Sequence, residues 1–488
     1  MKKEYPIAGG SKEIMKEEKD LLRKEISSAD IQIVKNRKKQ LITFYIFPII
    51  LIVLFLSQIL FTSKIILNND VNLMYMRDFT IKDSLKDFEI PLWEYHFQMG
   101  SPAVFYPNYL FLFHFLHIGA NPFAGMKLFY LISIILAFLF MKFYLKEIGL
   151  SETTSSLFGL AYSFNSYLMV HLFAGHLGIV AGITFFIPIL IFIERSFKYD
   201  SKWDGVGIVV STFFFFAGSH AQYVYYGVFF ILFYVIFKYF QTNNRKRLIK
   251  VILIFVISGL ISAITVLPSL YIAFLDHSRG TGFSMDRALR RSYDLRQYIS
   301  LILPSFFGYP ENPFYWGRPT FTELTSYSGI VPLFFSIIFI FSGWFKKQKP
   351  YIIFYLVIII GSLLLASNSI ANVLMFKYFP LYKIIRNPGR ILYFFIMGIT
   401  VIGAHGFQNI FYKEKAKINF EIIFFIISGL TVLYFILQPV TFNLLGKFLE
   451  EINVKWHNIN FNIFRSLIFS ILILLILIFR KKIRVLFL

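Results

Sequence analysis

The chain has 488 residues, of which 57% are hydrophobic, 20% aromatic and only 16% charged, with a formal net charge of +22 and no cysteine. A soluble globular chain is about half apolar and a quarter charged, so this composition excludes an ordinary soluble domain and points to a membrane protein. The absence of cysteine excludes disulfides, thiolate catalysis and cysteine-ligated metal. The basic charge falls in short clusters at the ends of apolar runs, which fits loops beside a membrane and gives no reason to expect nucleic acid as a partner.

Residues 1–40 are charged and lack the apolar centre of a secretory signal, so they are expected to form a cytoplasmic segment ahead of an uncleaved first span. Apolar runs near 41–62, 122–145, 154–171, 177–194, 205–218, 221–239, 251–272, 326–344, 350–366, 391–412, 418–438 and 462–480 predict about twelve transmembrane helices. Most approach the ~20 residues needed to cross a bilayer. With the amino terminus inside, the basic clusters land in the cytoplasm: Lys35 to Lys39, Arg195/Lys198/Lys202, Arg245 to Lys250, Lys346/Lys347/Lys349, Lys413/Lys415/Lys417 and Arg480 to Arg484. The expected molecule is an all-α, multi-pass protein of the plasma membrane, bathed in membrane lipid, with both termini cytoplasmic. Its core, 41–412, carries outer loops 63–106, 276–325 and 367–390, with amphipathic helices in them. A carboxy-terminal hairpin, 413–488, carries outer loop 439–460. Loops this long are usually functional.

The first outer loop contains Asn68-Asn69-Asp70, Asp78, Asp83 and Glu89-Ile90-Pro91-Leu92-Trp93. Met74, Asp78, Ile81, Leu85 and Phe88 follow helical spacing and predict a helix over 71–88. Asp70 then reads in two ways. It caps that helix, or its carboxylate at the membrane surface takes a proton from a hydroxyl or holds a divalent cation. Trp93, after a helix-breaking proline, suits the membrane interface.

His171 and His176 lie at the outer end of the third predicted span. Five residues apart, they do not share a helix face, which speaks against a zinc pair. His220 lies in the next outer turn and is a candidate to line the same cavity as His176. The loop 276–325 holds Arg279, Arg287, Arg290, Arg291 and Arg296 among Asp276, Asp286 and Asp294, and Arg386 and Arg390 flank Asn387-Pro388-Gly389. Arginines on the side that positive charge avoids suit either phosphate binding or local ion pairs. No phosphate-binding glycine loop of the soluble nucleotide enzymes is present.

Further landmarks follow in order: Gly100-Ser101-Pro102, Tyr106-Pro107, Ala161-Tyr162-Ser163-Phe164-Asn165-Ser166-Tyr167, Gly175-His176, Leu267-Pro268 and Ser278-Arg279. After them come Pro304-Ser305-Phe306-Phe307-Gly308, Tyr315-Trp316-Gly317, Tyr327-Ser328-Gly329 and Arg386-Asn387-Pro388-Gly389-Arg390. Their order and spacing over about 60–410 resembles the YfhO-like bacterial and archaeal membrane proteins of the GT-C glycosyltransferase superfamily. The resemblance implies a GT-C-like fold and a transferase that takes a sugar from a polyprenyl-phosphate donor outside the membrane. It also implies that Asp70, the acidic residue of the first outer loop, is catalytic. The second acid typical of the family is not beside it: Asn68 and Asn69 precede Asp70 and Val71 follows.

The expected chemistry is hexosyl transfer with inversion to an envelope glycopolymer, lipid or protein. Asp70 acts as base or ligates a Mg or Mn ion, Arg279, Arg386 and Arg390 bind the donor phosphate, and Asp78, Trp93, His176 and His220 line the cavity. A flippase for lipid-linked oligosaccharide, or a solute transporter, is the rival from another class, and a non-catalytic scaffold for envelope assembly is a third. The span interiors read as nearly free of charge, which favours chemistry at the surface over translocation.

Overall fold

A computed structural model describes residues 38–65, 69–86, 89, 93–94, 100–102, 121–199, 201–275, 284–304, 306–308, 315–318, 321–341 and 349–412. Among these residues the regular structure is helical, apart from a two-residue antiparallel pair, β1 (Trp93–Glu94) and β2 (Ser101–Pro102), and one isolated bridge. Two units are distinct, 1–55 and 56–488. In the first, a π-helical turn (Ile42–Ile46) leads into α1 (Phe47–Phe55), whose Phe47, Ile50, Leu54 and Phe55 are exposed. Apolar side chains presented outward suit hydrocarbon surroundings.

In the second unit the order is α2 (Ser57–Leu60), α3 (Asn69–Lys86), α4 (Pro122–Glu147), α5 (Glu152–Ser163), α6 (Ser166–Phe173), α7 (Leu177–Lys198), α8 (Lys202–Gly218) and α9 (Ala221–Thr242). Then come α10 (Arg245–Leu275), α11 (Met285–Leu289), α12 (Ile330–Phe341), α13 (Lys349–Ala366), α14 (Ile370–Tyr378) and α15 (Leu392–Tyr412). Among the described residues six helical stretches are long and apolar enough to cross a membrane: Lys38–Phe55, Pro122–Glu147, Leu177–Lys198, Ala221–Thr242, Arg245–Pro268 and Pro388–Phe411. Ile330–Phe341 and Pro350–Ala366 are shorter apolar helices. The predicted hairpin 413–488 lies outside the described residues.

The single span expected over 154–171 is two helices. Asn165 ends α5 and caps α6, its side chain accepting from Leu168 N at 2.9 Å. Ser166 is drawn away from a continuous helix by Tyr327, its N–H donating to the Tyr327 carbonyl at 3.0 Å while its hydroxyl accepts from Tyr327 N at 2.7 Å. A capping asparagine thus overrides an apolar run that reads as unbroken.

The helices α7 and α15 are buried along most of their length, whereas α10 leaves Leu253, Leu260, Ile264 and Leu267 exposed. Aromatic rings tie the centre together: Phe230 of α9 stacks on Phe394 of α15 at 4.6 Å and meets Phe186 of α7 edge-on at 5.1 Å. α15 approaches α12 so closely that a Cβ on Gly403 would sit 2.5 Å from the Pro332 carbonyl oxygen. Small residues permit such contacts between apolar helices. Gly403→Ala is therefore expected to destabilise the protein by about 1–3 kcal/mol through overpacking. Thermal unfolding in detergent measures this, and an unshifted midpoint contradicts the close approach.

The expectation that the helix interiors are nearly free of charge has buried exceptions close to the helix ends. Four residues short of the ends of α7 and α9, Glu194 and Lys238 form a buried ion pair at 2.8 Å. Tyr351 of α13 donates to Glu194 at 3.0 Å, Lys238 donates to Tyr351 at 2.9 Å and to Gln241 at 2.7 Å, and Tyr234 also bonds Glu194. Tyr144 of α4 extends the network through Tyr234 and Tyr355. Lys142 of α4, fully buried, pairs with Glu152 at 2.8 Å. These charges are tolerated because each has a partner.

Candidate functional site

The opposite ends of the same helices gather the residues with chemistry. α7 begins just after His176 and ends beyond Glu194, a rise of roughly 30 Å over its length. His176, His220 and Arg390, which stand at or just before the starts of α7, α9 and α15, therefore share the end remote from the Glu194 network.

Asp70 lies in the first turn of α3, where helix N-terminal N–H groups favour a carboxylate. It does more than complete the helix start: its Oδ2 is 2.9 Å from His176 Nε2. The hydrogen bond from His176 holds the Asp70 carboxyl below its ordinary value, outweighing partial burial and the nearby Glu323 charge. The contact depends on Gly175. This residue has φ of +79°, and a Cβ there would meet Val71 Cγ2 at 2.7 Å and Val71 N at 2.8 Å. The chain can turn from α6 into α7, with α3 pressed against it, only where there is no side chain.

That turn brings the two histidines together. His171 Nδ1 and His176 Nδ1 are 2.7 Å apart, because α6 stops at Phe173 and the chain doubles back before α7. Helix-face reasoning separated them since it assumed one helix through both. His171 is fully buried, with the Tyr167 ring edge-on at 4.4 Å. Tyr167 in turn bonds Tyr223 of α9, and its hydroxyl reaches the Arg390 carbonyl at 3.4 Å.

Beside them lies a pair that sequence reasoning missed. Arg390 Nε donates to Glu323 Oε2 at 2.7 Å and its Nη2 to Oε1, a two-pronged contact between buried groups. Burial alone raises the Glu323 pKa, but the Arg390 charge and hydrogen bonds prevail and hold it well below the ordinary carboxylate value. Arg390 Nη1 also lies 3.1 Å from His220 Nε2, while His220 caps α9 through Nδ1. Arg390, expected to bind phosphate, is thus engaged inside the protein. The one signal for Glu323 in the sequence is a lone acid just ahead of the apolar run at 326–344.

Arg386 has the exposure that phosphate binding needs and makes no ion pair among the described residues. Partial burial, then the charges of Arg291, Arg287 and Arg390, draw its pKa down. Burial, then the charge of Arg287, lowers the Arg291 pKa, and Arg291 Nη1 is 3.4 Å from Asn387 Oδ1. Guanidinium groups that repel one another at a helix start favour an incoming anion. Asp78 lies about two turns beyond Asp70 on α3. Trp93, on β1, stands against Gly100 and shares no hydrogen bond or ring contact with Asp70 or the histidines among the described residues. Arg279 lies outside the described residues.

The cation considered for Asp70 finds a poor donor set. Among the described residues no group of three or more His, Cys, Asp or Glu side chains is placed to hold a metal. Asp70 Oδ2 already accepts from His176, and the two imidazoles turn their Nδ1 atoms toward each other. Mg and Mn take oxygen-rich octahedral shells, which one half-engaged carboxylate does not supply. The arrangement offers a carboxylate base, a hydrogen-bond donor fixing it, and a cationic rim. Compared with protein-family models, curated proteins and solved structures, the chain matches none.

Proposed function

We propose that the protein is a membrane glycosyltransferase of the GT-C type, moving a hexose-type sugar from a polyprenyl-phosphate donor to a cell-envelope acceptor on the extracytoplasmic side of the plasma membrane. The observation that carries this reading is the placement of an ionised, oriented carboxylate and an arginine rim at one end of a helical assembly suited to a membrane. The basic residues Arg195, Lys198, Arg245 and Arg247 lie at the other helix ends, and the positive-inside tendency supports an extracytoplasmic Asp70 end.

In this reading Asp70 takes the proton from an acceptor hydroxyl as its oxygen attacks the anomeric carbon. The new C–O bond forms on the face opposite the phosphate and the bond to the phosphate oxygen breaks, inverting the centre. The polyprenyl phosphate leaves carrying the electron pair, and Arg386 and Arg291 balance its charge. Arg390, locked to Glu323, holds the floor of the site in place of contacting phosphate.

Transport has one observation in its favour, the buried Glu194–Lys238 pair. It lies near helix ends and is engaged by Tyr234, Tyr351 and Gln241, whereas a translocated solute calls for exchangeable groups near the midplane. Asp70→Asn is expected to abolish envelope glycosylation at unchanged protein abundance. Glycans unaltered in that variant sink the assignment.

A further inference from the structure

The contact between two Nδ1 atoms imposes a direction on the cluster. A neutral imidazole carries one N–H, so of His171 Nδ1 and His176 Nδ1 one donates and the other accepts. If His176 donates through Nδ1, then His171 must carry its proton on Nε2. That atom is buried and has no hydrogen-bond partner among the described residues. An unpaired buried N–H is rarer than an unpaired buried acceptor. In the same arrangement His176, to keep its bond to an ionised Asp70, would have to be doubly protonated. Arg390 and His220 already place positive charge or its potential beside His171, which Glu323 faces among the described residues. Glu323 is committed to Arg390 in a two-pronged pair.

We infer that His176 and His171 are positioning residues forming a one-way hydrogen-bond chain, in which His171 Nδ1–H donates to His176 Nδ1 and His176 Nε2–H donates to the Asp70 carboxylate. The buried His171 Nε2 ends the chain as a bare acceptor. Both imidazoles are neutral, and every donor points toward Asp70. The chain therefore fixes one Asp70 oxygen, Oδ2, and with it the orientation of the carboxylate. It also makes His171, which touches no reactant, the residue that selects the His176 tautomer. This rests on the transferase reading only for what the Asp70 carboxylate does to a reactant. The tautomers follow from geometry alone.

The test uses full-length protein in lipid bilayers with nitrogen-labelled histidine, of which the chain has nine. The two residues are assigned by loss of their signals in His171→Asn and His176→Gln. Solid-state NMR is expected to show His176 protonated at Nε2 only and His171 at Nδ1 only near neutral pH. Protonation of His171 at Nε2, or of His176 at both nitrogens, overturns the inference. His171→Asn keeps a short-reach donor and is expected to hold His176 in its tautomer, whereas His171→Leu releases it to a mixture. A His176 signal identical in wild type and His171→Leu also overturns it. In a transfer assay His176→Gln, which retains a donor at the Nε2 position, is expected to exceed His176→Leu by about 10–100-fold. Equal activity of the two contradicts the positioning role. Predicted tautomers with no sugar transfer from any donor leave this inference standing and defeat the transferase reading instead.

Discussion

Glu323→Gln is expected to lower the stability of the protein by about 3–5 kcal/mol, the cost of leaving a buried arginine without its counter-charge. Both side chains are buried, with relative exposures of 6% for Glu323 and 10% for Arg390, so solvent screening relieves little of that cost. Glutamine keeps the shape and one hydrogen bond, so the loss reports charge and not volume. Thermal unfolding in detergent reads the effect directly. A companion variant, Glu323→Leu with Arg390→Met, removes both charges and is expected to recover most of the lost stability. Equal damage from the single and double variants contradicts the pairing. The pH dependence has a fixed sign. The Glu323 pKa is lower in the folded state than its ordinary 4.5, so its contribution is complete above that value and is lost as pH falls below it. Asp70, also lowered in the folded state, adds a smaller term of the same sign. The wild-type unfolding midpoint should hold steady from about pH 7 to about pH 5 as far as these groups are concerned, then decline, and Glu323→Gln should flatten much of that acid decline.

Gly175→Ala carries the second large effect, and it falls on activity more than on abundance. The new methyl meets the Val71 backbone at 2.8 Å, and φ of +79° is itself unfavourable for alanine. Relief requires α3 to withdraw or the turn to change, and either parts Asp70 from His176. A displacement near 1 Å of a catalytic group costs about 10²-fold in rate. Transfer activity is expected to drop by about that factor while the detergent-extracted protein remains folded. If Gly175→Ala retains wild-type activity, α3 is not held at this turn in the working enzyme.

The helical, membrane-suited character of the chain was readable from composition, since runs of about twenty apolar residues have few other uses. The helix over 71–88 was readable from spacing and is found as Asn69–Lys86. What spacing could not convey was the tertiary choice at the caps. Asn165 falls inside the apolar run 154–171, and the break it caps is braced by Tyr327, which bonds Ser166 from 161 residues away. Two landmarks noted separately, Asn165-Ser166-Tyr167 and Tyr327-Ser328-Gly329, turn out to be hydrogen-bonded to each other. Glu323 escaped notice because one acid of several in a long loop looks solvated until its arginine, 67 residues on, is seen beside it. The Glu194–Lys238 pair escaped for the same reason: each reads as a span-end charge, and only the packing of α7 on α9 shows that they neutralise each other. Asp70 and His176 stood out in the sequence as polar groups at the edge of apolar runs. Their direct contact depends on a glycine whose role becomes visible only when α3 is placed against it.

The most direct test of the central claim is transfer of radiolabelled sugar from a polyprenyl-phosphate donor in membranes containing the wild-type protein, Asp70→Asn or Arg386→Gln. Label is expected in an envelope acceptor with wild type, none above background with Asp70→Asn, and weakened donor saturation with Arg386→Gln. Equal labelling in membranes with wild type, with Asp70→Asn and without the protein contradicts it.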